Sequence, residues 1–199
     1  MAQAYAAVGR GAEARSLFER AVALRPGYWQ NHNALGSHFL QAGDLPGAEA
    51  AFRKVIELRP DSDTGYANLG GALLLAGRLA DAEPVLQAAA RIRATWEVRN
   101  NLGYLYYATG RFEAAAEQWQ FASAAASQQP QAYANLGDAC RQLGRRQEAL
   151  AAYGRAVELA RDQLAVNPRD VDLRSSLAAA LAGSGDCAAA RREIRAVLE

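Results

Sequence analysis

The chain has 199 residues, of which 51% are hydrophobic and 22% charged, and its formal net charge is +1. This composition is typical of a globular protein, and the balanced charge does not favour binding to nucleic acid or to an anionic membrane. No apolar run is long enough to cross a bilayer, so we expect no membrane partner. Cys140 and Cys187 are the only cysteines, so no disulfide framework is expected and we predict a cytoplasmic protein.

Glycines recur along the chain at a nearly constant interval. The intervals are 34, 34, 33, 34 and 41 residues between Gly9, Gly43, Gly77, Gly110, Gly144 and Gly185. A leucine followed by a small residue precedes each of the last five glycines, and an Ala-rich run follows each one. Four residues after a recurring alanine in that run comes a large apolar residue, namely Phe18, Phe52, Leu86, Trp119, Tyr153 or Ile194. Such periodicity predicts stacked units of two amphipathic helices each.

The units follow one another along the whole chain. A partial repeat covers 1–28, and the repeats that follow span 29–62, 63–95, 96–129, 130–170 and 171–199. In each unit the glycine is expected to end the first helix in a left-handed conformation. Asp61, Ser62, Asp63 and Asp170 are expected to cap first helices. We expect the large apolar residue to fill the gap between neighbouring units.

The repeat 130–170 is seven residues longer than a 34-residue repeat, and the extra segment lies within Glu158–Pro168. Because this segment lacks glycine and proline before Pro168, it predicts a second helix lengthened by about two turns. Two interpretations are open. The extra turns are either a tolerated extension of the helix or a projecting ridge that contacts a partner.

The period, the Leu-Gly pairs and the small and large residues together resemble the tetratricopeptide repeat over almost the whole chain. The resemblance implies an all-α, right-handed superhelical solenoid, in which first helices line a concave groove that binds proteins. It also implies a bacterial repeat array, or a fragment of a larger protein. The ends of such an array expose apolar faces, so we expect end-to-end self-association.

No constellation of residues predicts chemistry. His32 and His38 are six residues apart, a spacing that does not bring two side chains together on a helix. No phosphate-binding or nucleophile motif occurs, and Cys140 is expected to be a core residue. We therefore predict a protein that is not an enzyme and that has no cofactor and no metal.

Asparagines recur at the sixth place of three successive repeats, at Asn68, Asn101 and Asn135. This pattern is similar to the asparagine ladder of O-linked N-acetylglucosamine transferases and of some motor adaptor proteins, which grips a peptide backbone. A side-chain amide offers both a donor and an acceptor, so it matches a peptide group. The alternative is structural, because the same amides can bond to a neighbouring helix and fix the register of the repeats.

The first helices predict a polar groove with aromatic side chains at its centre. In the stretch 98–110, Leu102, Gly103 and Tyr106 are expected on the packed side, and the other tyrosines in the groove. None of the fifth-place residues is basic, so the groove lacks the carboxylate clamp of some members of the family. The candidate peptide-binding residues are Asn33, Asn68, Asn100, Asn101, Asn135, Tyr104, Tyr107, Asp138 and Arg141.

The sequence thus predicts a protein–protein interaction scaffold that binds an extended peptide of a partner, partly through the asparagines. The alternative from another class is a regulatory or oligomerising arm of a larger enzyme or signalling protein. In that case the groove or the ends of the array contact another domain. The periodicity cannot separate the two functions, because it determines the scaffold and not the ligand.

Overall fold

The structure, a computed structural model, describes residues 11–198 except for the side chain of Leu198. Gly9, the rest of segment 1–10 of the partial repeat, and Glu199 lie outside the described residues. Within 11–198 the chain forms eleven α-helices and no strand, which confirms the all-α prediction. The helices are α1 Gly11–Leu24, α2 Trp29–Gln41, α3 Leu45–Leu58, α4 Asp63–Leu75, α5 Leu79–Ile92, α6 Trp96–Ala108, α7 Phe112–Ala125, α8 Pro130–Gln142, α9 Arg146–Val166, α10 Val171–Ser184 and α11 Cys187–Leu198.

The chain divides into two compact units between Ala94 and Thr95. The first unit contains α1–α5, and the second contains α6–α11. In both units the helices alternate as first and second helices of a repeat. The first helices α2, α4, α6, α8 and α10 begin at the residues where the sequence pattern starts its repeats.

Glycines terminate the first helices as the sequence predicts. The backbone φ angle is positive, between 72° and 95°, at Gly43, Gly77, Gly110, Gly144 and Gly185. Only glycine adopts this left-handed region without a steric cost from Cβ, so each helix stops there and the chain turns into the second helix.

The predicted caps are only partly present. Asp170 caps α10, because its carboxylate accepts a hydrogen bond from the Leu173 backbone N–H at 2.9 Å. Ser62 precedes α4, but its side chain makes no capping bond. Asp63 instead accepts two hydrogen bonds of 3.0 Å from the Arg93 guanidinium. A charged partner at the end of α5 competes successfully with the backbone for this carboxylate, and Asp61 likewise pairs with Arg59.

In four repeats the large apolar residue of the second helix packs on the glycine of its own first helix, a contact that the sequence pattern did not predict. A Cβ on Gly103 would lie 2.5 Å from the Trp119 ring, and one on Gly137 would lie 2.7 Å from Tyr153. In the first unit, Phe52 and Leu86 occupy the same places over Gly36 and Gly70. Two of these four residues also pack against the following repeat, as expected: Tyr153 lies against Gly183, and Trp119 shares a hydrophobic cluster with Ala139.

The second helix of repeat 130–170 is one continuous helix of 21 residues, against 14 residues in α3, α5 and α7. Its last two turns bury Leu159 and Ala160, and Leu164 packs against the cluster that contains Leu177 and Leu181. The extension therefore contributes to the core of the second unit. Its other face is open to solvent: Arg161, Asp162 and Ala165 are exposed, and so is Val166, at 87%.

Candidate functional site

Asparagines of the first unit pair across two repeats. The Asn68 Nδ2 of α4 donates to the Asn33 Oδ1 of α2 at 2.7 Å, and both side chains are half-buried. The bond joins the sixth residue of one repeat to the fifth residue of the preceding one. A bond between neighbouring first helices is what we expect if the asparagines fix the register of the repeats. It leaves the Asn68 Oδ1 and the Asn33 N–H groups available for other partners.

The same pairing occurs in the second unit and belongs to a longer series. The Asn135 Nδ2 of α8 donates to the Asn100 Oδ1 of α6 at 3.0 Å, and the Asn135 Oδ1 accepts from the Gln131 Nε2 at 2.8 Å. The Ser176 hydroxyl of α10 in turn donates to the Gln131 Oε1 at 3.0 Å. We call these side chains, together with the indole of Trp119, the amide chain. It connects the first helices of three repeats.

Trp119 fastens the amide chain to the core. Its ring is 2% exposed and fills the notch over Gly103, while its Nε1 donates to the Asn100 Oδ1 at 3.1 Å. The Asn100 oxygen therefore accepts two hydrogen bonds, and its orientation is determined by a buried residue. Such support from below holds a surface side chain in one rotamer before any ligand arrives.

Asn101 is placed differently from the other asparagines. It is half-buried, and its amide has no hydrogen-bond partner among residues 11–198. Three residues further along α6 lies Tyr104, whose side chain is 53% exposed. Because residues three apart lie on the same side of a helix, an unpartnered amide and an exposed ring are neighbours on α6.

Tyr107 is held by packing on both sides. Its ring lies 5.3 Å from that of Phe112 and 5.7 Å from that of Trp119, measured between centroids. Its hydroxyl accepts a hydrogen bond of 3.1 Å from the Gln142 Nε2 of α8. Tyr107 thus supports α6 and α8 as well as lining them. Leu102, predicted on the packed side, is buried, and Tyr106 is partly buried under the Arg111 guanidinium.

Asp138 and Arg141 bind the hydroxyl of Tyr153, and we call these three residues the tyrosine cluster. The Tyr153 Oη donates to the Asp138 Oδ1 at 2.6 Å and accepts from the Arg141 Nε at 3.3 Å. The Arg141 Nη2 also reaches the Asp138 Oδ1, at 3.3 Å. Burial, reinforced by the Asp138 carboxylate, raises the pKa of Tyr153 to about 12. The phenol therefore remains a neutral donor at physiological pH.

The sequence pattern indicated nine of the polar side chains described above, but it missed how seven of them are held by hydrogen bonds. Trp119 and Tyr153 were expected only to fill space, and both prove to be hydrogen-bonded to predicted groove residues. The available signal was chemical: they are the two filler residues whose rings end in a polar N–H or O–H group.

The remaining reactive side chains form no catalytic arrangement in the described part of the chain. The His32 Nε2 lies 2.8 Å from the Pro26 carbonyl oxygen, and the buried Nδ1 of His38 has no partner. Cys140 is buried as predicted, which raises the pKa of its thiol, and Cys187 is exposed. Across residues 11–198, no histidine, cysteine and carboxylate side chains gather in a metal-binding group, and no helix is long and apolar enough to cross a membrane.

The chain consists of two-helix repeats whose first helices carry a row of polar side chains. This arrangement is typical of protein–protein interaction scaffolds. Three sequence profiles described as tetratricopeptide repeat match this chain, at residues 1–63 and 34–95, 97–120, and 130–163. The chain therefore belongs to the tetratricopeptide repeat family. Members of this family typically serve as non-catalytic scaffolds. Curated protein sequences include no significant match to the chain.

Solved structures with the same fold support this assignment. TTC0263, a thermophilic TPR protein of Thermus thermophilus, is 28% identical, with a TM-score of 0.71 over 90% of this chain and 95% of that one. PilW, a type IV pilus biogenesis factor, is 18% identical, with a TM-score of 0.76 over 98% and 88%. YrrB, a TPR protein with an unusual peptide-binding site, is 16% identical, with a TM-score of 0.63 over 91% and 90%. The last two share the fold alone.

Proposed function

We propose that the second unit binds an extended peptide of a partner protein along α6 and α8, chiefly through the peptide backbone. The observation that carries the proposal is the unpartnered, half-buried amide of Asn101 beside the exposed ring of Tyr104. The Asn101 amide is accessible to solvent and bonds to no protein group, so its donor and its acceptor are available to a peptide group.

The neighbouring side chains make this place suitable for an extended backbone. The Asn100 oxygen is occupied by Trp119 and Asn135, so its N–H groups remain to donate to a peptide carbonyl. Asn101 adds a donor and an acceptor, and Tyr104 adds a flat surface that loses little conformational entropy on binding. Because the amide chain is already ordered, the free energy needed to organise the site on binding is small.

A random peptide display library tests the proposal without a known ligand. Peptides selected on the wild-type protein are resynthesised, and their dissociation constants are measured by isothermal titration calorimetry. Asn101→Ala and Tyr104→Ala are each expected to weaken binding about threefold to tenfold, the loss of one neutral hydrogen bond or one ring contact. Asn167→Ala, in the same unit but on neither α6 nor α8, is the matched control.

Two results count against peptide binding at this place. One is the absence of any enriched peptide. The other is enrichment of peptides whose affinity is the same for the wild type, Asn101→Ala and Tyr104→Ala, with thermal unfolding showing that both variants are folded.

The oligomerising alternative is favoured by a separate observation. An apolar hollow of about 310 Å³ lies on α10 and α11, and it is lined by Ser175, Ala178, Ala179, Ala182, Ile194 and Val197. Small residues in such a hollow allow a helix of a second copy to approach closely. Sedimentation velocity at rising protein concentration should then show self-association in the wild type and a monomer in Ala179→Glu. A concentration-independent wild-type monomer would exclude this function.

A further inference from the structure

A second cavity of the second unit lies apart from Asn101 and Tyr104. Its volume is about 500 Å³, and it opens between the turn from α8 to α9 and the end of α10. We call it the arginine cavity. Its lining includes Arg141, Arg146, Ala149, Leu150, Tyr153 and Gly183.

The charge of the lining has a single sign. Arg141 and Arg146 are its charged side chains, and no carboxylate lines it. Arg146 is exposed and forms neither an ion pair nor a side-chain hydrogen bond with any residue in 11–198, whereas the adjacent Arg145 pairs with Glu113 and Glu148. A guanidinium without an internal carboxylate is available to an external one.

Hydrogen bonds orient the Arg141 guanidinium but do not use all of its N–H donors. Its Nε donates to the Tyr153 hydroxyl and its Nη2 to Asp138. A guanidinium has five N–H donors, so three remain after these two bonds. The tyrosine cluster therefore holds one arginine of the cavity in place while leaving most of its donors to a ligand.

The rest of the lining is apolar and partly open. Leu150 is 43% exposed, and Ala149 and the ring of Tyr153 continue the apolar wall. Gly183 leaves room for that ring, because a Cβ there would lie 2.5 Å from it. The cavity thus combines two guanidinium groups with an apolar wall, which is complementary to a carboxylate attached beside an apolar side chain.

We propose that the arginine cavity binds a carboxylate of a protein partner that has a leucine-like residue next to it. Arg146 and the free donors of Arg141 hold the carboxylate, and Leu150, Ala149 and Tyr153 contact the apolar neighbour. The source is a glutamate or aspartate side chain, or a chain's terminal carboxylate. Although Arg141 lies on α8, this site includes neither Asn101 nor Tyr104, so its preference for a carboxylate is tested separately from backbone binding.

Three acetylated peptides, with amidated or free C-termini, distinguish a side-chain carboxylate from a terminal one. Acetyl-Ala-Leu-Glu-Leu-amide carries only a side-chain carboxylate, acetyl-Ala-Leu-Gln-Leu carries only a terminal one, and acetyl-Ala-Leu-Gln-Leu-amide carries none. Each is titrated into the ¹⁵N-labelled full chain, and amide chemical shifts are followed. At least one carboxylate peptide is expected to bind about threefold or more tightly than the neutral peptide, with the largest shifts at Gly144, Leu150 and Gly183.

Matched arginine variants complete the test. Arg146→Gln should remove the preference for the carboxylate peptide. Arg161→Gln removes the same charge from an exposed arginine of α9 outside the cavity, and it should preserve the preference. Equal affinity for all three peptides, shifts located elsewhere, no binding at millimolar peptide, or equal effects of the two variants would each overturn the proposal.

Discussion

The two units fill the space over their first-helix glycines with different side chains. This difference determines how the polar side chains of the first helices are held. In the first unit, hydrocarbon side chains fill the notches over the first-helix glycines; in the second unit, an indole and a phenol do so. The pairs are Phe52 with Gly36, Leu86 with Gly70, Trp119 with Gly103 and Tyr153 with Gly137. A hydrocarbon filler stabilises only by burial, whereas an aromatic filler with a polar tip also orients side chains of the first helices.

Both units retain one common contact, the bond between asparagines at fifth and sixth places. Within residues 11–94 no other side chain bonds to this pair, and Asn31 donates separately to the Ala21 carbonyl oxygen, whereas the second unit adds the indole of Trp119 below the pair and Gln131 and Ser176 beside it. Preorganised amides therefore concentrate in the second unit. That is why we assign peptide binding there, and the following variants test the contrast between the units.

The largest difference is expected for alanine at the notch glycines. Gly103→Ala places a Cβ 2.5 Å from the rigid, hydrogen-bonded ring of Trp119, and we expect a loss of about 2 kcal/mol in unfolding free energy. Gly70→Ala places a Cβ 2.3 Å from the Cδ2 and 2.5 Å from the Cγ of Leu86, but a leucine side chain is more flexible than the hydrogen-bonded indole, so we expect a smaller loss. In both variants alanine's helix propensity offsets up to about 1 kcal/mol. Urea denaturation measures both, and equal losses would show that the fillers are interchangeable.

A smaller difference is expected between the two acceptor asparagines. Asn100→Ala removes the acceptor of two hydrogen bonds and leaves the buried indole N–H of Trp119 unpaired, so we expect a loss of about 1.5 kcal/mol. Asn33→Ala removes one bond between half-buried amides, and its loss should be about 0.5 kcal/mol. If Asn33→Ala costs as much as Asn100→Ala, Trp119 does not support the amide chain.

Tyr153→Phe tests the tyrosine cluster and should depend on pH. At pH 7 the variant loses the hydroxyl that binds Asp138 and Arg141, and we expect a cost of about 1 kcal/mol. The folded-state pKa of about 12 lies above the ordinary value of 10.0. Between these values the unfolded state loses the phenolic proton and the folded state keeps it, so wild-type stability falls as pH rises.

The advantage of the wild type over Tyr153→Phe should therefore shrink when urea denaturation is repeated near pH 11. Tyr104→Phe is the control, because Tyr104 is exposed and its hydroxyl has no partner in residues 11–198. It should match the wild type at both pH values. A gap for Tyr153→Phe that is constant with pH would contradict the buried, neutral phenol.

The smallest effect concerns the first unit and should be stabilising. His38 is buried between Phe18 and Phe39 with an unpaired Nδ1, at the place that Leu105 occupies in the second unit. His38→Leu removes the unpaired atom, and we expect a gain of about 0.5 kcal/mol by thermal or urea unfolding. His32→Leu, which loses the contact with Pro26, should instead destabilise.

The helical repeats were predictable because they depend on local rules. Gly43 and its equivalents end helices because glycine adopts a positive φ, and a glycine is visible in the sequence itself. The repeat period then predicts where each helix begins. The caps were less predictable. The Asp63 carboxylate pairs with the Arg93 guanidinium, 30 residues away, instead of capping the helix, and only the folded chain shows this contact. Long-range polar pairing depends on the offset between helices, and a periodicity does not contain that offset.

The candidate site shows the same limit. The sequence identifies Asn100 and Asn135 as groove residues, but their bond joins places 35 residues apart, one more than the usual 34-residue period. Tyr107, predicted as a binding residue, is also held between Phe112 and Trp119. The recurrence of asparagines therefore did not predict which side-chain amide stays unpaired. In the structure, Asn101 is the asparagine whose amide has no partner in residues 11–198.

The most direct test of backbone recognition is an N-methyl scan of one library-selected peptide, with its affinity for the full chain measured by calorimetry. N-methylation removes one backbone donor at a time, and an alanine scan of the same peptide removes side chains. We expect that at least one N-methyl group weakens binding about tenfold, and that Asn101→Ala abolishes this sensitivity. Affinity that depends on peptide side chains alone, with every N-methyl peptide binding as tightly as the parent, would contradict it.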